Sequence, residues 1–478
     1  MHDSSIIMAI KAALGPSGWR APEDAPGYFE DPRGRFHGRA ALIALPRDTA
    51  QVAALMRLCH DGAVPVIPYG GGTGVVAGQL SLDSDAVVIL SLERMNRLRG
   101  VSPEDGAMVF EAGAILEQVH ALAAEHGLTF PLSMGSKGSC TIGGNLATNA
   151  GGIQVLRDGN ARDLCLGVEA VLADGTVLDE LTPLHKNNIG YDLRHLLIGS
   201  EGTLAVITAA TLAVRPIDAE TVTAFCAIDS PATAVALLGA LRADFGTAVS
   251  ALELMSDFGL ELVLGTLDSL RRPLADRHPW YLLAEFGGPA GLLSRVEDSL
   301  ARQMEAGRIA DAVIAGTLAQ RQAFWDLREM TPEANHRNGA ICSSDTSVPI
   351  SRIPDFITRT HAAVRGVHAD LRINSYGHIG DGNIHHNVFP PAGVAKADLL
   401  AAHPGINDAV RMAITRVSHD LGGSISAEHG IGRLKLADMA EFASPARLAM
   451  MRAIKTALDP KGILNPGALL PPHPKEEE

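Results

Sequence analysis

Pro68-Tyr-Gly-Gly-Gly-Thr-Gly74 follows a β-branched run, Val64-Pro-Val-Ile-Pro68, that predicts a β-strand. Glycines expose a row of backbone N–H groups with no side chains in the way, and such a row can cradle phosphate oxygens. Taken alone, a glycine-rich surface turn is the simpler interpretation. Residues 75–85 contain turn formers where a dinucleotide-binding Rossmann unit requires a crossover helix, so we reject that unit.

Two more glycine-rich segments lie downstream in the same half of the chain. Residues 135–152 combine glycines with hydroxyl and amide side chains, and Gly199-Ser-Glu-Gly-Thr203 leads directly into a predicted strand. One such loop carries little information, whereas three in order within one domain suit a large nucleotide cofactor that is gripped along its length.

Around these loops, from Ala40 to about Pro216, short β-branched runs alternate with segments of helical periodicity, which indicates an α+β domain. A chain of 478 residues exceeds the usual size of a single core, so we expect more than one domain. The residue composition changes near Arg215-Pro-Ile-Asp218, and the segments that follow are predicted to form Ala- and Leu-rich helices. We predict domains at 1–217 and 218–425, and a C-terminal segment at 426–478 whose last residues, 471–478, fray.

Composition and charge restrict the partners. With 46% hydrophobic and 20% charged residues the chain has an ordinary globular composition. A net charge of −14 argues against general affinity for nucleic acid or anionic membrane, because both need a basic surface. The start of the chain has no signal-peptide pattern, and no stretch approaches the length of a transmembrane span. The cysteines are odd in number, widely spaced and without a Cys-x-x-Cys pair, so we expect free thiols and cytoplasmic residence.

Histidines are concentrated in Ser375-Tyr-Gly-His-Ile-Gly-Asp-Gly-Asn-Ile-His-His-Asn387, and Ser426-Ala-Glu-His-Gly430 follows. Imidazoles and a carboxylate among glycines suit a divalent cation that keeps one coordination position open. His378 and His385 can meet only if the glycines between them fold the segment back. A single histidine in a core is more often just a hydrogen-bonded side chain, which is the alternative here.

Alternation along an extended segment distinguishes the neighbouring side chains. His386 is expected to point away from the face of His385, whereas Asn387 shares that face and is a candidate substrate contact. The same rule means that Glu428 and His429 can serve one site only if the chain bends there, for which Gly430 gives room.

The order of the motifs resembles that of the FAD-linked D-2-hydroxy-acid dehydrogenases, a family of the vanillyl-alcohol-oxidase fold group that includes D-2-hydroxyglutarate and D-lactate dehydrogenases. The likeness extends from about Ala40 to Leu469. It is carried by Pro68-Tyr-Gly-Gly-Gly-Thr-Gly74, Gly143-Gly-Asn-Leu-Ala-Thr-Asn-Ala-Gly-Gly152, Ile198-Gly-Ser-Glu-Gly-Thr203, Gly377-His-Ile-Gly-Asp-Gly-Asn383, Ser426-Ala-Glu-His-Gly430 and Asp459-Pro-Lys-Gly-Ile-Leu-Asn-Pro466.

The resemblance implies an α+β fold with a two-part FAD-binding domain and a cap, or substrate, domain built on an antiparallel sheet flanked by helices. The C-terminal segment is implied to return to the FAD and active-site region. Residues 69–77 contain no histidine that could fix the flavin covalently, so dissociable FAD is expected. The implied FAD contacts are Pro68, Gly70, Gly71, Gly72, Thr73, Gly74, Gly135, Ser136, Gly138, Ser139, Thr141, Ile142, Gly144, Asn145, Gly199, Glu201, Gly202, Ile207 and Asn465.

The resemblance also assigns the chemistry. His378, His385 and Glu428 are implied to bind a divalent ion, with zinc expected, and His429 is implied to be the general base. Arg328 is implied to pair with the substrate carboxylate, for which guanidinium offers a bidentate grip. An arginine on a solvated helix face is the alternative interpretation of that residue.

Together these parts would oxidise a D-2-hydroxy acid to the 2-oxo acid. A cation chelated by the substrate lowers the hydroxyl pKa, imidazole takes the proton and flavin N5 accepts the hydride.

Two departures concern the substrate. D-2-hydroxyglutarate dehydrogenases usually carry a lysine where this chain has Ser343, and the expected threonine is displaced to Thr331, beside Pro332. Hydroxyl groups attract a distal carboxylate far less than an ammonium does. The preference for a dicarboxylate substrate is therefore less well supported, and shorter monocarboxylates such as D-lactate become stronger candidates.

Two rival hypotheses are kept: a zinc-dependent hydrolase in which the glycine loops are merely structural, and a flavin- or nucleotide-binding regulatory protein without turnover. The electron acceptor (an electron-transfer flavoprotein, a quinone or a cytochrome), the choice among zinc, manganese and cobalt, and the oligomeric state, for which a homodimer is one option, stay open.

Overall fold

The computed structural model describes residues 4–472 and divides into two compact units. The first unit runs to Gly152, resumes over Gly159–Ile217 and takes up the chain again from Glu428. The second unit consists of Ile153–Asp158 and Asp218–Ala427. The domain prediction had counted residues 153–158 with the first domain. Of the tail that was predicted to fray, residues 473–478 lie outside the described part.

The α-helices of the described residues are α1 (Ser4–Leu14), α2 (Thr49–Asp61), α3 (Leu116–Glu125), α4 (Ile142–Ala147), α5 (Val155–Asp158), α6 (Leu193–Leu197), α7 (Pro231–Phe245), α8 (Asp257–Thr266), α9 (Leu292–Glu305), α10 (Leu318–Glu329), α11 (Thr331–Arg337), α12 (Ile353–Val367), α13 (Lys396–Ala402), α14 (Ile406–Asp420), α15 (Leu436–Phe442) and α16 (Pro445–Leu458).

The β-strands of the same residues are β1 (Trp19–Arg20), β2 (Leu42–Ala44), β3 (Val66–Tyr69), β4 (Val88–Ser91), β5 (Leu98–Ser102), β6 (Ala107–Glu111), β7 (Leu128–Thr129), β8 (Cys165–Leu172), β9 (Val177–Glu180), β10 (Ala205–Ala213), β11 (Arg215–Pro216), β12 (Glu220–Ile228), β13 (Val249–Ser256), β14 (Trp280–Gly288), β15 (Asp311–Ile314), β16 (Cys342–Ser343), β17 (Thr346–Ser347), β18 (Arg372–His378) and β19 (Asn383–Phe389).

The first unit contains two main sheets. One has the strand order β1-β2-β4-β3, in which β2, β4 and β3 run parallel. The other is antiparallel, with the order β5-β6-β10-β8-β9. β3 and β4 pair in parallel although residues 70–87 between them form turns rather than a helix. The rejection of a Rossmann unit is therefore confirmed. The first glycine loop follows β3 directly, and no helix lies between this loop and β4.

The second unit is built on one antiparallel sheet with the strand order β15-β12-β14-β13-β18-β19-β16, and β17 also pairs with β19. Alternation along β12, β13 and β14 separates two apolar faces. One face packs with residues of α7, α9, α12 and α14, and the other packs with residues of α8, α10 and α11. An antiparallel sheet flanked by helices is what the sequence predicted for this part of the chain.

The five cysteines all lie in the described part of the chain and are free and buried, as expected. Burial raises the pKa of the Cys59, Cys165, Cys226 and Cys342 thiols to about 12, so they behave as small hydrophobic side chains. Within residues 4–472, every helix is too short or too polar to cross a membrane.

Candidate active site

A large cavity lies within the first unit and extends along the three glycine loops. The space in it that a water-sized sphere can occupy is about 340 Å³, which lies within the ~300–1,000 Å³ typical of ligand pockets. Backbone of the first loop, the second loop and residues 200–202 lines it, together with Leu90, Leu92 and Val206. The combination of exposed peptide groups and apolar walls suits a long ligand that carries both phosphates and an aromatic ring system.

The three loops converge because glycines let their backbones touch. A Cβ built on Gly71 would lie 2.7 Å from the carbonyl carbon of Ser139, in the second loop. A Cβ on Gly202, where φ is +68°, would lie 2.9 Å from the Pro68 ring, so the third loop packs on the first. Carbon atoms in normal contact are about 3.5–4.0 Å apart, so a side chain at either position would push the loops away from each other.

Most of the predicted FAD contacts line this cavity, namely Pro68, Gly70, Gly71, Gly72, Thr73, Gly74, Ser136, Thr141, Gly144, Asn145, Glu201, Gly202, Ile207 and Asn465. The other predicted contacts lie elsewhere. Gly135 and Gly138 are exposed, Ser139 lines a neighbouring cavity with Tyr28, and Ile142 is fully buried in the core. Gly199 faces the guanidinium of Arg162. Their roles stay predictions.

Asn145 carries an orphaned donor at the cavity wall. This residue of α4 is 4% exposed, and its Nδ2 has no hydrogen-bond partner among the described residues. The neighbouring thiol of Cys140 is a weak acceptor. A buried amide donor without an acceptor is costly, and an oxygen of a bound cofactor would relieve that cost. The wall is therefore chemically suited to FAD.

The segment that carries Glu428 and His429 bends, and both side chains line the cavity. Gly430 has φ +79° at the bend. Beyond it, the carboxylate of Glu201 accepts hydrogen bonds from the backbone N–H groups of Ile431 at 2.8 Å and Gly432 at 2.7 Å. Burial raises the pKa of Glu201, an effect that these two donors oppose. Glu201 thus holds the bend in place from the third loop, beyond simply lining the cavity.

Asn465 ties the C-terminal return to the same loops. Its Nδ2 donates to the backbone oxygens of Gly78 and Glu201, and its Oδ1 accepts from Arg433. Arg433 in turn donates to the backbone oxygen of Gly78. Both amide protons of Asn465 are used inside the protein, so the side chain builds the wall instead of offering a spare donor to a ligand.

In the second unit, β18 and β19 form a hairpin whose turn spans residues 379–382. The turn folds the histidine segment back, as the sequence required, and the rings of His378 and His385 lie 6.0 Å apart. Pairing of Tyr376 with His385 and of Asn374 with Asn387 places all these side chains on one face. His386 points to the other face, where it is fully buried against Phe356, so that prediction is confirmed.

In both His378 and His385, the Nδ1 atom of the ring hydrogen-bonds to another part of the protein. Nδ1 of His378 lies 2.7 Å from Oε1 of Glu253, and Nδ1 of His385 lies 3.1 Å from the backbone oxygen of Ser344. Because a carboxylate and a carbonyl only accept, Nδ1 must donate in each case, which makes Nε2 the acceptor atom of a neutral ring; in His378 this atom lies 3.5 Å from Nη2 of Arg328. This is the arrangement of metal-binding histidines, so the pair fits a divalent cation.

Arg328, on α10, faces the same cluster. It is 6% exposed, and its Nε donates to Oε2 of Glu253 at 2.7 Å. The guanidinium also lies over the ring of Tyr376, 4.9 Å from the centroid, and its Nη2 is 3.5 Å from Nε2 of His378. The alternative of a solvated surface arginine is therefore wrong.

The remaining predicted substrate contacts differ in exposure. Asn387 is buried at the face of the hairpin, and Ser343, its exposed partner on β16, lies 3.5 Å from it. Thr331 is 2% exposed, and its hydroxyl donates to the backbone oxygen of Leu327. That hydroxyl proton is already used by the helix terminus.

Glu253 is the residue that the sequence reasoning missed. It lies in the apolar run Ala251-Leu-Glu-Leu-Met255 of β13, directly opposite His378 in the register. The available signal was a carboxylate with two apolar residues on each side of it in a strand, because such a charge needs buried partners.

The chain matches two protein-family profiles. Residues 40–180 match the FAD binding domain, and residues 217–469 match the FAD linked oxidases, C-terminal domain. Three curated relatives are similar over nearly the whole chain. The D-2-hydroxyglutarate dehydrogenase of Xanthomonas citri pv. viticola is 37% identical over 453 residues, covering 95% of this chain and 94% of the relative. The mitochondrial D-2-hydroxyglutarate dehydrogenase of Bos taurus is 38% identical over 91% of this chain and 78% of its own length. The Arabidopsis thaliana mitochondrial enzyme of the same name is 36% identical over 91% and 76%.

Solved structures agree on the fold. The 4-ethylphenol oxidase from Gulosibacter chungangensis superposes with a TM-score of 0.73 at 18% identity, covering 98% of this chain and 97% of that one. p-Cresol methylhydroxylase gives a TM-score of 0.73 at 16% identity, with 97% and 96% covered. These structures confirm the predicted fold group, and the match to the FAD binding domain confirms the predicted flavin. The chain belongs to the family of FAD-linked oxidases, on the vanillyl-alcohol-oxidase fold, and is an FAD-dependent oxidoreductase.

Proposed function

We propose that this protein oxidises a D-2-hydroxy acid to the 2-oxo acid, with FAD in the cavity of the first unit and a divalent metal bound through the histidine hairpin. The observation that carries the proposal is the pair of hairpin histidines with Nε2 directed away from their Nδ1 acceptors, beside a buried arginine. The names of the curated relatives support the same reaction.

His378, His385 and Glu428 would hold the metal, for which zinc is our first choice. The two Nε2 atoms supply two ligands on one face of the hairpin. Glu428 follows by one peptide bond on Ala427, whose N–H donates at 3.3 Å to the backbone oxygen of Asp345. Asp345 is the neighbour of Ser344, the residue that fixes His385. Chain connectivity therefore supports a carboxylate from Glu428 as the third ligand.

Arg328 would bind the substrate carboxylate. Its Nε donates to Glu253 and its Nη2 contacts Nε2 of His378, so the N–H groups not used in these two contacts would bind a second anion. Because Nη2 lies 3.5 Å from Nε2 of His378, a carboxylate held by Arg328 would sit beside a metal held by His378. A 2-hydroxy acid presents its carboxylate and hydroxyl on adjacent carbons and so matches that spacing.

His429 would accept the hydroxyl proton. It lines the FAD cavity and is held there by the bend that Glu201 fixes. When bound, FAD supplies a hydride acceptor at N5, and the metal lowers the pKa of the hydroxyl group. Asn387 would contact the substrate from the hairpin face, and Ser343 would be the hydroxyl that meets any distal group. Thr331 is predicted in the same role, but its hydroxyl proton is donated to the backbone oxygen of Leu327.

The substrate class is better defined than the substrate. The relatives quoted above are named for D-2-hydroxyglutarate, which supports that acid. At the position where the family's lysine is expected, however, this chain has the exposed hydroxyl of Ser343. D-2-Hydroxyglutarate and shorter acids such as D-lactate are accordingly the compounds to compare.

The zinc-hydrolase alternative receives no support, because both family profiles belong to FAD-linked enzymes. A separate electron acceptor, dissociable FAD and a homodimer stay predictions. Cytoplasmic residence is also a prediction: the bovine and plant relatives carry a mitochondrial name, and the Xanthomonas relative does not.

The test is an anaerobic substrate screen. Purified protein is expected to be yellow, and its absorbance near ~450 nm should bleach on addition of the D but not the L isomer of one 2-hydroxy acid. Turnover with a dye acceptor should follow the same order of substrates. Tight flavin binding with no bleaching by any 2-hydroxy acid would instead support the regulatory hypothesis.

A further inference from the structure

Glu253 lies in an environment that is hostile to a charge. It is 1% exposed, and its neighbours along its face of β13, Ala251 and Met255, belong to an apolar cluster. An ionised carboxylate in such a place is expensive unless each oxygen is paired.

The two oxygens of Glu253 serve two different partners. Oε1 accepts from Nδ1 of His378, and Oε2 accepts from Nε of Arg328, both at 2.7 Å. The guanidinium of Arg328 places a permanent positive charge against this carboxylate and favours its ionised form. An ionised carboxylate only accepts hydrogen bonds, so both partners must donate to it.

A second buried glutamate shows what a merely structural carboxylate looks like in this sheet. Glu285, on the neighbouring strand β14, is 4% exposed and accepts from Arg321, Trp325 and Thr223. Arg321 lies on α10, the helix that also carries Arg328. None of these partners of Glu285 is a proposed metal ligand or substrate contact.

We propose that Glu253 is a positioning residue that sets the metal ligand His378 and the carboxylate anchor Arg328 at the same time. By accepting from Nδ1 it fixes the tautomer in which Nε2 of His378 faces the metal. By accepting from Nε it orients the guanidinium so that its remaining donors face the substrate. This inference rests on the proposed function, because both partners have their roles only there.

Glutamine has the same shape as glutamate, so replacing Glu253 by glutamine changes its hydrogen bonds to His378 and Arg328 without changing the space that the side chain fills. In Glu253→Gln, the amide oxygen can accept from one partner only, and the NH₂ group opposes the other donor. Either His378 changes its tautomer or Arg328 turns away. Loss of such an outer partner typically weakens metal binding by about 10–100-fold. The anchor should loosen as well, so KM for the 2-hydroxy acid should rise by about tenfold or more.

The experiment compares wild type, Glu253→Gln and the matched control Glu285→Gln. Zinc affinity is measured by competition with a chelating dye on FAD-loaded protein, and KM, flavin content and Tm are measured in parallel. Both variants are expected to have a lower Tm and an unchanged flavin content. Only Glu253→Gln should bind zinc more weakly and show a higher KM for the 2-hydroxy acid. Glu253→Asp, which keeps the charge and shortens the side chain, decides the question if the glutamine variant does not fold.

The outcomes separate the inference from the proposed function. If wild type binds zinc and oxidises a D-2-hydroxy acid, yet Glu253→Gln matches Glu285→Gln in zinc affinity and KM, the positioning role is overturned and the function stands. A wild-type-like Glu253→Asp, when glutamine prevents folding, overturns it too. If wild type itself holds no divalent metal, the metal part of the proposed function fails first, and the KM of Glu253→Gln still tests the link to Arg328.

Discussion

Replacement of Gly71 by alanine should weaken FAD binding through backbone displacement alone. The new Cβ would lie 2.7 Å from the carbonyl carbon of Ser139 and 2.9 Å from Cα of Cys140. Both are backbone atoms, so no side chain can rotate away. Restoring a carbon contact of about 3.5 Å requires the two loops to separate by at least roughly 0.8 Å, and the carbonyl oxygen of Ser139, which lies nearer still, requires more. Overpacking of this kind costs about 1–3 kcal/mol. If that cost falls on the bound state, Kd for FAD rises by about 5–150-fold.

Flavin fluorescence titration of the apoprotein measures this change directly, with the 450 nm to 280 nm absorbance ratio of purified protein as a second measure. Gly100→Ala is the matched control, because a Cβ there has no atom within 4 Å and the residue lies in β5 of the first unit, outside the cavity lining. Its affinity for FAD should equal that of wild type. An unchanged Kd for Gly71→Ala, with Tm also unchanged, would refute the idea that close contact of the loops shapes the cofactor cavity.

Further perturbations address the chemistry, the metal, stability and specificity. His429→Ala should keep full FAD content while kcat falls by about 10²–10⁴-fold, since only the proton acceptor is lost; a fall below tenfold would contradict its role as the base. Dialysis against a chelator should abolish turnover without removing the flavin spectrum, and zinc or manganese should restore it; activity that survives complete removal of metal would exclude the metal role. Burial lowers the pKa of His361 to about 4 in the folded protein, below the value of about 6.5 expected in the unfolded chain. As pH falls from 6.5 to 4, the unfolded chain therefore binds a proton that the folded protein does not, and the free energy of unfolding decreases. Between pH 7 and 5, urea unfolding of wild type should therefore lose about 2 kcal/mol more than that of His361→Gln, and equal losses would contradict the buried neutral imidazole. Finally, Ser343→Lys should lower KM for D-2-hydroxyglutarate by about tenfold, because the lysine adds one charged hydrogen bond to the distal carboxylate. KM for D-lactate, which has no distal carboxylate, should stay unchanged. Parallel shifts for both acids would show that position 343 does not contact the distal carboxylate.

Local sequence signals predicted those elements whose stability is local. The residue pattern predicts helices at residues 292–305 and 445–458, and these are α9 and α16 with the same bounds. α16 also begins with a serine cap followed by proline. The run Leu204-Ala-Val-Ile-Thr208 predicts a strand after the third glycine loop, but the observed strand, β10, continues to Ala213. Its extension depends on pairing with β6 and β8 on either side, and such long-range pairing is not encoded in the segment itself.

The candidate site was predictable to the extent that its chemistry lies in short motifs. The back-folded histidines and the outward His386 follow from glycine placement and strand alternation. Glu253 could not be assigned in the same way, because its meaning comes from a register that sets it opposite His378, more than a hundred residues away. Likewise, Glu201 looks like a loop residue in the sequence, and only the fold shows that its carboxylate holds residues 431 and 432.

The cofactor cavity joins distant parts of the polypeptide, with Pro68 at one extreme of its wall and Asn465 at the other. During synthesis, the first two glycine loops emerge early, yet the side chain of Asn465 that ties Gly78 to Glu201 is made hundreds of residues later. Domains generally fold as units while the chain is being elongated, but this one has to wait for its final segment. Nascent protein should thus acquire flavin only after translation has passed Asn465, and until then the unfinished first unit has to be kept from aggregating.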